Sequence, residues 1–416
     1  VLASTQPTSR PPEVHTLDDA GLSFGLVLDL VLKYTFYEGT ATLGRLSERS
    51  KLSPTIMHAM YRHLQKEHLC ETRAMVGNDY EISLTNKGRS MAEGALTKSQ
   101  YAGPAPVTLE DYNRIVAQQA VHYDLTMDSL KSTLSDLVLP EDVVKQLGVA
   151  LMSGGAIMLY GSTGNGKTSI AERLYRITKD YIYMPYAVVV AGEIVTVYDP
   201  FLHRAEEEDD DGHGDPRWIR CHRPMVKVGG EMRAEMLDTR VDEVTRVCTA
   251  PLQMKANNGI LLIDDFGRQR ITPRELLNRW IVPLDRRKDI LSLWSGISFE
   301  IPFELTVVFA TNLSLSDLAE DAFMRRLKNK IKIDPLGEDL FLRLLQRVCT
   351  EKHVPYNSEV GEYITAQCHK HSPEGLRGCF PEDLVNIIGG MAAFDHRAPT
   401  LEKRDVDEAL QVYFAH

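Results

Sequence analysis

The sequence predicts an α/β fold: a parallel sheet flanked by helices, with a small helix-and-hairpin domain before it and a helical domain after it. Three stretches carry this reading. Gly161-Ser162-Thr163-Gly164-Asn165-Gly166-Lys167-Thr168 joins an apolar run at 156–160 to residues of helical period. Ile260-Leu261-Leu262-Ile263 is a second apolar run, and it delivers Asp264 and Asp265. Beyond Pro335 the apolar spacing is helical throughout. Short continuous apolar runs suit strands covered on both faces, as in a parallel sheet between helix layers.

The glycine-rich stretch has the chemistry of a phosphate cradle. A turn that points several backbone N–H groups at one anion needs φ angles and a close approach that glycine permits, and Gly161, Gly164 and Gly166 stand where that demand falls. The helix that follows, opening near Ser169, turns its positive end toward a bound phosphate. Ile170, Ala171, Leu174 and Ile177 recur on one face of it. Lys167 can reach the β- and γ-phosphates of ATP as a point charge, and the Thr168 hydroxyl can take a Mg²⁺ position, so the stretch reads as a Walker A loop.

The second run reads as Walker B, because open α/β sheets bind ligands at the carboxyl ends of their strands. Asp264 would hold Mg²⁺ through its water shell, and Asp265 would orient or deprotonate the attacking water. A third apolar run, 305–310, ends in Thr311-Asn312, where an amide can hydrogen-bond the γ-phosphate or the water. Residues 187–191 read as another buried strand. Residues 201–225 depart from a minimal nucleotide-binding core and carry Glu206-Glu207-Glu208-Asp209-Asp210-Asp211, a solvated run. His203, His213, Cys221 and His222 lie around that run without the compact spacing of a metal site. Residues 273–286 are expected as one helix, and 291–293 and 297–299 as a hairpin about Ser295-Gly296. Leu151-Met152-Ser153-Gly154-Gly155 looks like a transport-cassette signature, but it precedes the Walker A loop and reads as the turn into the first strand.

Upstream, residues 1–20 are rich in Pro, Ser and Thr and are expected as a flexible arm. Residues 21–97 give three helices, the third capped by Ser53, then two alternating strands about Gly77-Asn78 and a fourth helix. Residues 98–125, with Gly103-Pro104-Ala105-Pro106, are expected as a linker. Leu137, Val138 and Leu139 are candidates for an apolar wall near the adenine.

The net charge of −11 argues against a protein that coats nucleic acid or anionic membrane over its whole surface. Six scattered cysteines without a CxxC pair indicate neither a disulfide framework nor a zinc ribbon, and fit a reducing cytoplasm. The most apolar early stretch, 22–36, is broken by Asp29 and Lys33 and is too short to span a bilayer, and no charged-then-apolar leader precedes it.

The order of these parts resembles the AAA+ ATPases over residues 126–416: Walker A, Walker B at Asp264-Asp265, and a sensor-1 asparagine at Asn312. The resemblance implies a nucleotide-binding subdomain at 126–335 and a helical lid at 336–416. It places an arginine finger at Arg325 or Arg326 and a sensor-2 arginine at Arg377. The hairpin before Asn312 looks like that of the pre-sensor-1 superclade, and the insertion before Walker B is similar to the second-helix insert of MoxR-like members. One departure stands out: the family's Walker B ends in Asp-Glu, and Asp265 is one methylene shorter. Residues 21–97 resemble a winged-helix domain, whose third helix would offer His58, Arg62, His63 and Lys66 to DNA. Nine Lys and Arg against eight Asp and Glu in that segment make a weak footprint for phosphate.

What the resemblance implies is an ATP-hydrolysing, Mg²⁺-dependent homo-hexameric ring that remodels a protein client or adaptor recruited by the winged helix. The alternatives are a DNA-associated regulator or loader and, because of Asp265, an ATP-dependent scaffold with little hydrolysis.

Overall fold

The computed structural model describes residues 10–206, 214–314 and 326–414. Arg325, His213 and all of the acidic run except Glu206 lie outside these residues.

The N-terminal part runs α1 (Phe24–Glu38), β1 (Thr40–Thr42), α2 (Leu43–Ser50), α3 (Pro54–Lys66), β2 (Cys70–Val76), β3 (Asp79–Leu84) and α4 (Asn86–Lys98). The strands form an antiparallel sheet in the order β1-β3-β2. The side chains of Ser23, Thr42 and Thr85 accept the N–H groups left unpaired at the starts of α1, α2 and α4. Leu30, Val31, Leu46, Met57, Leu64 and Ile82 close one core. The turn between β2 and β3 has Gly77 at φ +62°, in the left-handed region.

Residues 10–20 and 98–125 are both engaged with the rest of the fold. Val14 and Ala20 are buried in the N-terminal core. Tyr34 donates to Gly103 O at 2.6 Å, and Ala105 N donates to Ser50 O at 2.7 Å. β4 (Val107–Thr108) and α5 (Leu109–Gln118) then lead the chain onto a second sheet.

The central part continues with α6 (Met127–Thr133), α7 (Glu141–Ser153), β5 (Ile157–Tyr160) and α8 (Lys167–Leu174). Next come β6 (Tyr181–Pro185), β7 (Ala187–Val190), β8 (Glu193–Thr196), β9 (Trp218–His222) and β10 (Met225–Val228). β11 (Arg240–Val241), β12 (Cys248–Thr249), α9 (Leu252–Lys255) and β13 (Ile260–Ile263) follow. α10 (Pro273–Arg279), α11 (Ile281–Arg286), β14 (Lys288–Ser292), β15 (Ser298–Pro302), β16 (Thr306–Thr311) and β17 (Asn329–Lys332) complete it. The expected helix over 273–286 is broken after Arg279, because Pro283 lacks an N–H and its ring crowds the carbonyl four residues back.

Five strands form an all-parallel sheet in the order β10-β13-β16-β5-β17. One face packs Met158, Leu261, Ile263, Phe309 and Trp280 together, and the other packs Ile157, Leu159, Leu262, Val308 and Ile170. The expected fold class is therefore what the chain adopts. The strand at 187–191 belongs elsewhere: β7 joins the order β11-β12-β8-β7-β4, and β10 supplies the edge of the all-parallel sheet. Arg217 is buried at the junction of the two bodies, paired with Asp215 at 2.7 Å and donating to Ala20 O at 3.3 Å and Pro106 O at 2.9 Å. α12 (Glu338–Glu351), α13 (Ser358–His371), α14 (Phe380–Phe394) and α15 (Lys403–Tyr413) form the C-terminal helical region around Phe341, Leu345, Ile364, Phe380 and Ile388. No helix among the described residues is long and apolar enough to cross a membrane.

Candidate functional site

β5, β13 and β16 release their chains at one edge of the sheet, so Gly161, Asp264 and Asn312 emerge side by side. The register makes this obligatory: Tyr160 pairs with Thr311, and Ile263 with Phe309. Gly161, Gly164 and Gly166 take φ of +134°, +82° and +79° and wrap the loop around the start of α8. Lys167, 9% exposed, donates through Nζ to Gly161 O and Ser162 O, each at 2.8 Å. Burial lowers its pKa, and the charges of Asp265 and then Asp264 work the other way.

Thr168 Oγ1 donates to Asp264 Oδ1 at 2.8 Å, which ties the cradle to the acidic strand. The second oxygen of Asp264 faces Lys227 Nζ at 3.2 Å, and that ammonium also meets Glu172 of α8 at 2.8 Å. Burial alone would lower the Lys227 pKa, but its hydrogen bonds to Glu172 and Asp264 raise it. Asp265 is exposed and left-handed, with φ +49°. A hydroxyl and a carboxylate 2.8 Å apart, beside a buried lysine, are donors that fit Mg²⁺ with a polyphosphate.

Three polar atoms in and around the cradle are buried with no hydrogen-bond partner: Asn165 Oδ1, Asn312 Oδ1 and Arg377 Nε. Arg377 also pairs with Glu374 at 2.7 Å. The turn into α14 rests directly on the phosphate loop, since Cys379 N donates to Gly164 O at 2.8 Å. Arg326 lies before β17 and donates to Asp285 of α11 at 3.0 Å. Leu137 and Leu139 are partly buried against the core that includes Leu159 and Ile170.

Sequence reasoning missed Lys227 and Glu172. A lone lysine on an edge strand carries no motif, and only the pairing of β10 with β13 places it beside Asp264.

Residues 337–412 match a family described as a domain of unknown function (DUF8689). No curated protein matches the chain. Among solved structures, the RuvB Holliday junction branch migration motor of Thermotoga maritima is similar over 68% of this chain and 73% of that one, at 16% identity and a TM-score of 0.41. A mutant of the same Thermotoga maritima protein is similar over 67% and 72%, at 16% identity and a TM-score of 0.41.

Proposed function

We propose that this protein binds Mg²⁺–ATP in the cradle of residues 161–169 and hydrolyses it as an AAA+ ATPase. The observation that carries the reading is the hydrogen bond from Thr168 to Asp264, which joins the Gly-rich loop and the acidic strand into one site beside buried Lys167. The strand order supports it, because β16 lies between β5 and β13 and sets Asn312 between the loop and the two carboxylates.

In this reading the loop's N–H groups and Lys167 bind the β- and γ-phosphates, and Thr168 and Asp264 hold the metal's shell. Bound Mg²⁺ would supply charge neutralisation across the β- and γ-phosphates. Asp265 orients the attacking water and takes its proton, and Asn312 fixes the water or the γ-phosphate. Arg377 completes the site from the lid, as a donor already seated against Gly164. Arg325 or Arg326 would act on a neighbouring subunit's nucleotide, which requires a closed ring of identical subunits, taken as a hexamer, in the cytoplasm.

The N-terminal domain, read as a winged helix, recruits a protein client. Its α3 exposes His58, Arg62 and Lys66 with no carboxylate on that helix, the feature that favours DNA. The hairpin beside it pairs Arg73 with Glu71 at 3.4 Å and exposes Met75 and Val76, a mixed and apolar surface suited to protein.

The test is Lys167→Ala. It removes the buried cation and leaves the backbone cradle, so ATP affinity by calorimetry and phosphate release should both fall at least tenfold, about 1.4 kcal/mol or more. Unchanged affinity and turnover would overturn the assignment.

A further inference from the structure

We infer that Gln269 is a positioning residue that places Asp265 for the attack on the γ-phosphate. The inference rests on the hydrolytic reading above and concerns how the short acidic side chain is aimed.

After Ile263 the chain stays in the parallel ladder for one more residue, with Asp264 N donating to Val228 O at 2.8 Å. It then reverses. Asp265 adopts φ +49°, a conformation that non-glycine residues avoid because Cβ crowds the carbonyl. Such a backbone persists only where the surroundings over-determine it; here Arg268 N donates to Asp265 O at 3.0 Å, Asp265 N donates to Asp264 Oδ1 at 3.1 Å, and one side chain ties these to the strand. Gln269 Nε2 donates to Asp264 O at 2.8 Å and to Asp265 O at 3.2 Å, so the carbonyls of both acidic residues are held by a single amide. Its Oε1 accepts Gly267 N at 2.7 Å, which closes the turn on itself. The floor is fixed independently: Phe266 N donates to Ala310 O at 2.7 Å, Thr311 Oγ1 donates to Phe266 O at 2.7 Å, and the Phe266 ring packs on Phe309.

The consequence follows from the length of the side chain. An aspartate has one methylene between backbone and carboxyl, so its φ and ψ decide where the carboxylate lies to a degree that glutamate's extra torsion would relax. Asp265 is exposed and receives no side-chain anchor of its own among the described contacts. Its aim is therefore set by its backbone, and Gln269 is the side chain that joins both acidic carbonyls to the turn.

The experiment compares wild type, Gln269→Ala, Gln269→Glu, Asp265→Asn and the Asp265→Asn/Gln269→Ala double variant, by phosphate release and by calorimetric ATP binding in the full chain. Gln269→Ala should lower kcat about ten- to a hundredfold, as expected for a reacting group displaced by about 1 Å, with the Kd for ATP changed less than about twofold. Gln269→Glu keeps the side chain's length and its acceptor but sets a carboxylate against two carbonyls. It should show the same loss, and it decides the matter if the alanine variant does not fold. In the Asp265→Asn background Gln269→Ala should add nothing, because the group it positions is already gone. Full turnover in either folded Gln269 variant, or an equal further loss in the Asp265→Asn background, would overturn the inference while leaving the ATPase reading intact. A wild-type protein that binds ATP and never hydrolyses it would overturn both.

Discussion

The contact between the C-terminal helical region and the Gly-rich loop can be measured by filling it. Gly164 sits at φ +82°, and a Cβ built there would lie 2.6 Å from Cys379 Sγ, with Cys379 Cβ and Arg377 Cδ next at 3.6 Å. Gly166 is the control: its φ is +79°, and a Cβ there meets nothing within 4 Å. Gly166→Ala should therefore cost only the left-handed backbone term, about 1–2 kcal/mol. Gly164→Ala carries the same term and in addition an overlap of roughly 1 Å with the sulfur, judged against an ordinary 3.5–4 Å contact. Overpacking of this kind costs typically 1–3 kcal/mol, which brings the total to about 2–5 kcal/mol unless the lid swings away. Removing the sulfur distinguishes the two terms. With Cys379→Ala the nearest atoms are those at 3.6 Å, so Gly164→Ala/Cys379→Ala should recover the steric part and resemble Gly166→Ala. Urea unfolding of the single and double variants, each referred to Cys379→Ala alone, gives the coupling as a double-mutant cycle. A coupling indistinguishable from zero, with Gly164→Ala no worse than Gly166→Ala, would refute the claim that α14 rests on the loop.

Two further outcomes are expected. Lys227 holds the second oxygen of the carboxylate whose first oxygen meets Thr168, so Lys227→Met, which removes a cation beside the proposed Mg²⁺ site, should lower the Mg²⁺ concentration for half-maximal binding of a fluorescent ATP analogue, by about two- to fivefold for a half-exposed pair; an unchanged midpoint would count against competition at Asp264. His203 is buried between Asp199 N and Lys255 O, and burial holds its pKa below the ordinary histidine value against the pull of Lys255 O. Its contribution to stability is full above the unfolded pKa of about 6.5 and is lost as pH falls from there toward the folded pKa. The urea midpoint of His203→Gln should accordingly drop less between pH 7 and pH 5 than that of the wild type, and equal drops would refute the assignment.

The parts of the site legible in the sequence are those whose chemistry is local. A glycine at +82° or a carboxylate pair after four apolar residues declares itself within a few positions. What stayed hidden depends on pairing between distant segments. The second sheet is made of strands of two to four residues, β4, β7, β8, β11 and β12, too short for an alternating pattern to develop. Val188 and Val189 announce burial equally well for either sheet, and the register with Val107 and Val195 decides which one they join. Arg217 looks like any surface cation in sequence, and only the fold reveals a fully buried guanidinium holding two distant carbonyls.

That guanidinium has a mechanical consequence. The segment before α1, the segment after α4 and the strand-rich insertion meet at Arg217 and Asp215, while Asp215 N also donates to Pro11 O at 2.7 Å. The N-terminal domain is thus clamped at both of its chain ends to a body whose strands, apart from β4, leave the five-stranded sheet between β5 and β13. A twist of that sheet has no slack tether in which to dissipate. It would be carried through the insertion in series, with the domain as the far arm of a stiff lever, unless Arg217 first gives up its hydrogen bonds to Ala20 O and Pro106 O, each worth about 1.5–3 kcal/mol for a charged donor.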